Sequence, residues 1–279
     1  MDTLSASDTA AFTAQLLEKL RQQSPLVQNI TNYVSMDLAA NALLAIGASP
    51  AMVHAREEIE EFVRIASSLT INIGTLSPHW VESMEVAATE ASMQKKPWVL
   101  DPVGVGATTF RNHAVMRLMR HSPSIIRGNA SEIIAVARLA GLTDVEAAPK
   151  GVDAANSTEE AESFAAALAT HLNCVVAATG AVDIITDGTR LVRLANGHPI
   201  MPRVTAIGCA LSATAGAFAA VTDDRFQAAT AAIAVYGVVG EMAADGDALI
   251  GPGSFRVRFL DQLAAVSGAD ITLRLKIAS

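Results

Sequence analysis

The stretch that decides the fold is Cys174-Val175-Val176-Ala177-Ala178-Thr179-Gly180. A continuous apolar run, without the polar alternation of a half-exposed strand, is typical of a parallel-sheet strand buried on both faces. The hydroxyl of Thr179 and the small residue Gly180 then follow at the point where the strand would leave the sheet. The stretch therefore predicts an α/β fold, and it gives Cys174 a structural role.

The same pattern extends along most of the chain. Short apolar runs alternate with amphipathic stretches, which predicts βα units that build a mainly parallel central sheet with helices on both faces. After Gly180, the runs 183–186 and 189–192 flank Asp187-Gly188 and predict a β-hairpin with a two-residue turn. The other predicted strands are 26–30, 49–53, 70–74, 98–101, 124–127 and 174–179.

Several helix boundaries carry recognisable chemistry. The predicted N-caps are Ser35, Ser77 before Pro78, and Ser157 with Glu160 three residues later. The predicted C-caps are Gly47 and Gly141. No linker, repeat or low-complexity tract divides the sequence, and 147–156 is predicted to be a surface loop. Residues 1–279 are therefore predicted to form a single domain.

Composition and charge narrow the possible partners. Hydrophobic residues make up 51% of the chain and charged residues only 17%, which predicts a large buried core and subunit surface withdrawn from water. We therefore expect an oligomer. The net charge of −8 disfavours nucleic acid and anionic membranes as partners, because both bind through concentrated Lys and Arg.

Targeting and redox signals are weak. The first eight residues lack the basic start and apolar core of a signal peptide. The longest apolar stretches, 210–221 and 228–240, are too short to span a bilayer, so we expect buried helices. Cys174 and Cys209 lie far apart without paired spacing, which predicts neither a disulfide framework nor a zinc site. These features predict a cytoplasmic protein.

Polar residues end apolar runs at five places. In open parallel sheets, ligands bind beyond the carboxyl ends of the strands, so we expect these residues to line one site. The five places are Asn29-Ile30-Thr31-Asn32, Asp101-Pro102-Val103-Gly104-Val105-Gly106, Arg127-Gly128-Asn129-Ala130-Ser131-Glu132, Thr179-Gly180 and Gly208-Cys209.

The segment Gly208-Cys209-Ala210 is predicted to begin a helix of small residues. Unpaired N–H groups and the positive end of the helix dipole would hold a phosphate or a developing anion there. The same field would lower the pKa of the Cys209 thiol. The alternative is a buried cysteine that acts as a small hydrophobic residue.

Two carboxylates are candidate metal ligands. Asp101, ahead of Gly104-x-Gly106, suits hydrated Mg2+ beside a phosphate, and Glu132 could reach the same metal through water. Each has a structural alternative. Asp101 could start a turn, and Glu132 could close a capping box with Asn129, which is the interpretation that local sequence favours for Glu132.

The remaining candidates are single residues. Arg127 could clamp a phosphate or pair with a surface carboxylate. Thr179 could contact a nucleotide or only turn the chain. Met52 could cover an aromatic heterocycle or lie in the core, and Asn29 could contact substrate or form a turn. No Walker A, His-Glu-x-x-His or strong zinc motif is present, and phosphoryl transfer fits the collected groups better than a Cys-His pair does.

In this order, the five places resemble the hydroxyethylthiazole kinase family of the ribokinase-like superfamily. The resemblance spans roughly residues 24–263, and it includes Gly47-Ala48-Ser49-Pro50-Ala51-Met52 and Asn72-Ile73-Gly74-Thr75-Leu76. It implies a ribokinase-like fold and ATP-dependent phosphorylation of the primary alcohol of 4-methyl-5-(2-hydroxyethyl)thiazole in thiamine salvage, with Mg2+ as cofactor.

The resemblance also implies roles for individual residues. Met52 and Ala206 would contact the thiazole, Arg127 and Thr179 would contact ATP, and Cys209 would stand where most ribokinase-like enzymes have an aspartate base. The family is typically a trimer with thiazole sites between subunits. With that reaction, the N–H groups of Gly208, Cys209 and Ala210 would stabilise the transferring phosphoryl group, and Asp101 and Glu132 would lie on the metal side.

One departure from the family pattern concerns Ala206-Ile207, where the family has Gly-Thr. If Ala206 adopts a positive φ, its methyl group costs energy. The alternatives are therefore a kinase for another hydroxyalkyl heterocycle, such as a pyrimidine alcohol, or a catalytically weak nucleotide- or thiazole-binding protein. A cysteine hydrolase would need a base for Cys209, and nothing specific in the sequence supports His198, eleven residues earlier, in that role.

Overall fold

The structure, a computed structural model, describes residues 2–143, 158–247 and 249–278. Within these ranges one sheet contains nine strands. They are β1 (Asp2–Thr3), β2 (Leu26–Ile30), β3 (Ser49–Ala51), β4 (Ser68–Asn72), β5 (Trp98–Asp101), β6 (Ile125–Asn129), β7 (Val175–Thr179), β8 (Asp183–Thr186) and β9 (Arg190–Leu194).

The strand order is β1-β9-β8-β7-β6-β5-β4-β2-β3. The six strands from β2 to β7 are parallel to one another, and β8 is antiparallel to both of its neighbours, β7 and β9. The predicted mainly parallel sheet is confirmed. Because the carboxyl ends of six strands meet at one edge, the residues that follow those strands are brought together there.

Eleven α-helices are described alongside the sheet. They are α1 (Ala6–Gln23), α2 (Met36–Ile46), α3 (Ile59–Ile65), α4 (Pro78–Met93), α5 (Thr109–Met119), α6 (Ala130–Leu139), α7 (Thr158–Leu172), α8 (Ile207–Ala219), α9 (Arg225–Ala244), α10 (Pro252–Ala265) and α11 (Gly268–Arg274), with a 3-10 turn at Met201–Arg203.

Helices cover both faces of the sheet and enclose two hydrophobic cores. One core lies beneath α1, α2 and α8 to α11, and the other beneath α3 to α7. Strand β7 shows why its sequence is apolar throughout, since Val175 and Ala177 enter the first core while Val176 and Ala178 enter the second. Cys174 is buried in the second core, where burial raises the pKa of its thiol to about 12. Its predicted structural role is confirmed.

Three of the parallel strands differ from prediction at their carboxyl ends. Strand β4 occupies Ser68–Asn72, two residues earlier than predicted, so Asn72 stands at its carboxyl end. Strand β3 ends at Ala51 and leaves Met52 in the following loop. Strand β6 continues to Asn129, which places Arg127 inside the strand and not at its end. These shifts decide which side chains reach the site.

The predicted hairpin is present, but its connection is longer than two residues. Residues 187–189 separate β8 from β9. The Asp187 carboxylate accepts hydrogen bonds from the N–H groups of Thr189 (2.9 Å) and Arg190 (2.7 Å), and these bonds close a wider turn than the predicted one.

Most of the predicted helix caps that fall on described residues are confirmed. Ser77 accepts from the Trp80 N–H with Pro78 in the first turn, Gly47 ends α2 with a φ of 103°, and Gly141 follows α6 with a φ of 86°. Ser35 occupies the N-cap position of α2, but its hydroxyl pairs with Thr31 Oγ1 at 2.6 Å. Ser157 and the predicted loop 147–156 lie outside the described residues.

Helix α9 carries the apolar stretch 228–240. In the described ranges it is the one helix long and apolar enough to cross a membrane, so the predicted shortness of this stretch is wrong. However, 83% of its apolar window is buried inside the protein, which is the environment of a core helix. The predicted burial is confirmed.

Candidate functional site

The centre of the site is the first turn of α8. Ala206 is its N-cap residue and adopts the left-handed conformation, with φ 67° and ψ 1°. The N–H groups of Ile207, Gly208 and Cys209 follow in the first turn, where helix geometry supplies no intrahelical acceptor. The Ala210 N–H donates to the Ala206 carbonyl at 2.9 Å. The helix therefore leaves the N–H groups of residues 207–209 available, whereas the Ala210 N–H, which was predicted with Gly208 and Cys209 to hold an anion, closes the first helical turn.

Arg127 reaches this turn from strand β6. Its Nη2 donates to Thr179 Oγ1 at 2.6 Å, and the Thr179 hydroxyl donates to the Gly128 carbonyl at 3.2 Å. A Cβ placed on Gly208 would lie 2.9 Å from Arg127 Nη1. The structure thus brings Arg127, Thr179 and Gly208 together, with a guanidinium group lying against the helix start.

Asp101 ends strand β5 and is fully buried. Its Oδ2 accepts from Asn72 Nδ2 (2.6 Å) and from Ser212 Oγ (2.8 Å), whereas its Oδ1 has no hydrogen-bond partner within the described ranges. Burial raises the pKa of this carboxyl to about 6; the Arg127 charge opposes the shift and the Glu132 charge adds to it. Asp101 is thus a buried carboxylate with one uncommitted oxygen.

Glu132 forms the capping box of α6 with Asn129. Its Oε2 accepts from the Asn129 N–H at 2.8 Å, and its Oε1 accepts from the Gly104 N–H at 2.9 Å. Gly104 and Gly106 have φ values of 69° and 91°, a conformation that glycine adopts without strain. The capping role that local sequence favoured is confirmed, and Glu132 also anchors the loop after β5 to the start of α6.

Cys209 lies next to an amide from the loop after β2. Asn32 Nδ2 is 3.5 Å from Cys209 Sγ. Burial, followed by the Asp101 charge, raises the pKa of the thiol, while the Asn32 and Asn72 amides and the Arg127 charge act in the opposite direction. The predicted lowering of this pKa is wrong, because desolvation outweighs the field of the helix start.

Asn72 and Ser212 were given no role by the sequence reasoning, whereas Asn32 belongs to one of the five places that were expected to line the site. Asn32, Asn72 and Ser212 connect Cys209 to Asp101 through side-chain hydrogen bonds. Asn72 stands at the carboxyl end of its strand, and the two-residue error in that strand hid it. Ser212 lies three residues after Cys209 in α8, on the same face of the helix.

Besides Ala206, the predicted substrate contacts are Met52 and Asn29. Met52 follows β3 and packs, partly buried, against the first core. Asn29 lies within β2 and donates to the Val27 carbonyl at 2.9 Å. Neither residue has a contact that tests its predicted role, so both roles stay predictions.

His198 is engaged away from the thiol. Its Nδ1 accepts from the Ile200 N–H at 3.3 Å, and its ring stacks on Phe255 at 6.4 Å between centroids. This environment provides no support for the Cys-His pair that a hydrolase would need. Among the described residues, no group of three or more His, Cys, Asp or Glu side chains forms a metal cluster either.

Solved structures share the fold of this chain. A hydroxyethylthiazole kinase structure from Pyrococcus horikoshii OT3 superposes with a TM-score of 0.88 and 40% identity, covering 96% of this chain and 98% of that one. A ribokinase-like superfamily protein from Enterococcus faecalis aligns with a TM-score of 0.60 at 11% identity, covering 96% and 97%. The second likeness concerns the fold alone, and the predicted ribokinase-like fold is confirmed.

Sequence relatives are similar over nearly their whole length. A hydroxyethylthiazole kinase of Rhizobium johnstonii is 52% identical over 272 residues, 97% of this chain and 99% of the relative. One from Cereibacter sphaeroides is 54% identical over 251 residues, 90% and 92% of the two chains. The model of the hydroxyethylthiazole kinase family matches residues 17–268. A match of this extent, on a chain that places Arg127, Thr179 and Cys209 around one helix start, means that the chain belongs to the hydroxyethylthiazole kinase family.

Proposed function

We propose that this chain transfers the γ-phosphoryl group of ATP to the primary alcohol of 4-methyl-5-(2-hydroxyethyl)thiazole, a step of thiamine salvage. The observation that carries the proposal is the position of Arg127, which bonds Thr179 at 2.6 Å and lies against Gly208 at the start of α8. This places a cation and three N–H groups around one point, which suits a transferring phosphoryl group.

Charge stabilisation and positioning account for the reaction, and no covalent bond between protein and substrate is needed. In the transition state of transfer, the phosphoryl group carries its negative charge on three equatorial oxygens. The N–H groups of residues 207–209 face that charge from one side, and the Arg127 guanidinium faces it from another. Thr179 fixes one arm of the guanidinium, so that less side-chain freedom is lost when ATP binds.

We infer that Cys209 positions the acceptor alcohol. Since its thiol pKa is raised, the group is neutral near pH 7 and offers a weak hydrogen-bond donor and acceptor in place of a carboxylate. A loose transition state requires little deprotonation of the attacking alcohol at the moment of transfer, so a neutral positioning group is sufficient.

Mg2+ is the metal that suits the carboxylates of the site. Mg2+ prefers oxygen ligands and commonly uses one or two carboxylates together with waters and substrate phosphates. The uncommitted Oδ1 of Asp101 is the donor that fits, and Glu132, whose oxygens already accept two backbone N–H groups, would act through water. The bound ion would neutralise charge on the phosphates.

We also propose a cytoplasmic homotrimer with thiazole sites between subunits. Two free cysteines suit a reducing compartment. Tyr33 and Val34, which directly follow the site residue Asn32, are 69% and 59% exposed, and an adjoining subunit would cover them. Met52 and Ala206 would then contact thiazole within a pocket that two subunits complete.

The proposal is tested by ADP release from the purified enzyme with Mg2+ and ATP. Hydroxyethylthiazole and a pyrimidine alcohol serve as parallel acceptors. We expect turnover with the thiazole alcohol and its loss in Arg127→Ala. Turnover with the pyrimidine alcohol alone would assign a different acceptor, and tight binding without turnover would assign a binding protein.

A further inference from the structure

The chain contains a row of polar side chains that runs from the thiol of Cys209 to the carboxylate of Asp101. Asn32 Nδ2 contacts Cys209 Sγ at 3.5 Å and Asn72 Oδ1 at 2.7 Å. Asn72 Nδ2 then donates to Asp101 Oδ2 at 2.6 Å. Asn32, Asn72 and Asp101 are each at most 5% exposed, so water does not compete for these bonds.

Backbone N–H groups determine which way each amide points. The Oδ1 of Asn32 accepts from the N–H groups of Val34 (3.1 Å) and Ser35 (3.0 Å), so its NH2 group must face Asn72 and Cys209. The Oδ1 of Asn72 accepts from the Gly74 N–H at 2.9 Å, so its NH2 group must face Asp101. An amide flip at either residue would set donor against donor.

Gly74 holds the first amide in place by its lack of a side chain. A Cβ at this position would lie 2.5 Å from Asn32 Nδ2. Only a glycine leaves room for the Asn32 amide at this point of the loop after β4. The loop is therefore shaped around the hydrogen-bonded row.

At its far end, the row engages one oxygen of Asp101 and leaves the other. Oδ2 accepts from both Asn72 and Ser212, while Oδ1 has no partner within the part of the chain described. Because Oδ2 already accepts two hydrogen bonds, Oδ1 is the oxygen left for a cation. The orientation of the carboxylate is thus set by Asn72 and Ser212.

We propose that Asn32 and Asn72 are positioning residues that couple the orientation of Cys209, on the acceptor side, to that of Asp101, on the phosphate side. This inference rests on the proposed kinase function and deepens it. Neither amide needs to touch a reacting atom. The pair acts by presenting Asp101 Oδ1 to the phosphate side and a fixed N–H donor to the sulfur.

The sharpest variant is Asn72→Asp. An aspartate retains the size of Asn72 and keeps acceptors for the Gly74 N–H and for Asn32, but it loses the donation to Asp101 and adds a negative charge near Asp101 and Cys209. The matched control is Thr70→Val on the same strand, which removes a buried hydroxyl that makes no hydrogen bond within the described residues. Asn32→Asp is the second variant. It keeps acceptors for the Val34 and Ser35 N–H groups but loses the hydrogen bonds that Asn32 donates to Asn72 and Cys209.

The first measurement separates kcat from KM. We expect Asn72→Asp and Asn32→Asp to lower kcat by about tenfold or more, because the first loses its hydrogen bond to Asp101 and the second loses its hydrogen bond to Cys209. The KM for ATP should change by less than about threefold, since Arg127 and Thr179 are untouched. Thr70→Val should retain wild-type kinetics.

The second measurement does not depend on activity. Cys209 is alkylated with iodoacetamide in the enzyme without substrates, and a Cys209→Ala enzyme gives the background from Cys174. In both aspartate variants, Cys209 should be alkylated at about one third of the wild-type rate or slower. The reason is that the sulfur loses its hydrogen-bond donor or gains a nearby negative charge.

Kinetics and alkylation rates of both variants within twofold of wild type, or faster alkylation, would overturn the coupling. If the wild-type enzyme is inactive on the thiazole alcohol, the proposed function is refuted instead. The alkylation rates of the variants would still test the coupling in that case.

Discussion

The guanidinium of Arg127 lies so close to Gly208 that a Cβ at residue 208 would sit 2.9 Å from Nη1. The two residues come from β6 and α8, on either side of the point where a phosphate would bind. Glycine at this helical position has no requirement for a positive φ, so its role is to admit the guanidinium. Separate effects on stability and on catalysis follow from this contact.

Gly208→Ala should weaken ATP use while leaving the fold intact. The added methyl group displaces the end of a flexible Arg127 side chain, and alanine in a helix is favoured over glycine by roughly 0.5–1 kcal/mol. We expect an unchanged or higher Tm together with a fall of about tenfold in kcat/KM for ATP. Thermal unfolding and steady-state kinetics measure the two effects, and a normal kcat/KM would show that the contact is unimportant.

Thr179→Val should raise the KM for ATP. The variant keeps the shape of the side chain but removes the acceptor that fixes Arg127 Nη2 at 2.6 Å. A hydrogen bond to a charged group contributes about 1.5–3 kcal/mol, so an increase of about tenfold or more is expected. The KM for the alcohol serves as the internal control and should change little. Equal rises in both KM values would point to a general distortion of the site.

Ala206→Gly should stabilise the protein. Ala206 adopts φ 67°, a conformation that costs a non-glycine residue about 1–2 kcal/mol. Part of that gain is offset by the greater freedom of glycine in the unfolded chain, so we expect a gain of up to about 1 kcal/mol in the free energy of unfolding. Ala220→Gly, at the right-handed C-cap of the same helix, should instead be destabilising. Denaturant unfolding of the two variants measures their free energies of unfolding. A loss of stability in Ala206→Gly as well as in Ala220→Gly would contradict strain at Ala206.

Cys209 should react as a thiol of high pKa. Burial and the Asp101 charge favour the neutral thiol, so the thiolate forms only above the ordinary thiol pKa of 9.0. The rate of iodoacetamide alkylation of Cys209 should therefore keep rising with pH through 9, without an earlier plateau. Asp101→Asn removes one of the charges that raise the pKa, and its curve should move to lower pH. A plateau near pH 7 in the wild type would mean that the helix field prevails.

Sequence predicted the sheet well because burial on both faces leaves a clear apolar signal. Strands β2 and β5 match their predicted bounds, since a polar residue marks the end of each run: Thr31 directly after β2 and Asp101 at the end of β5. Strand β4 was misplaced because Ser68 and Thr70 interrupt its apolar pattern although both are buried. That shift concealed Asn72 from a search based on strand ends.

The site was predictable in its residue types but less so in its connections. Arg127, Thr179 and Gly208 were predicted singly, and the parallel sheet explains why they meet. The bonds of Asn32, Asn72 and Ser212 depend on side-chain directions that spacing does not specify. The Cys209 pKa was mispredicted because local sequence indicates a helix start but not the depth of burial around it.

The central claim is that ATP binds with its γ-phosphate at the first turn of α8, beside Arg127 and Cys209. A crystal structure with a non-hydrolysable ATP analogue, Mg2+ and hydroxyethylthiazole tests it most directly. We predict γ-phosphate oxygens within hydrogen-bond distance of the N–H groups of residues 207–209 and of Arg127, with the alcohol beside Cys209 Sγ. A γ-phosphate bound away from this turn, with Arg127 still directed only at Thr179, would contradict the account.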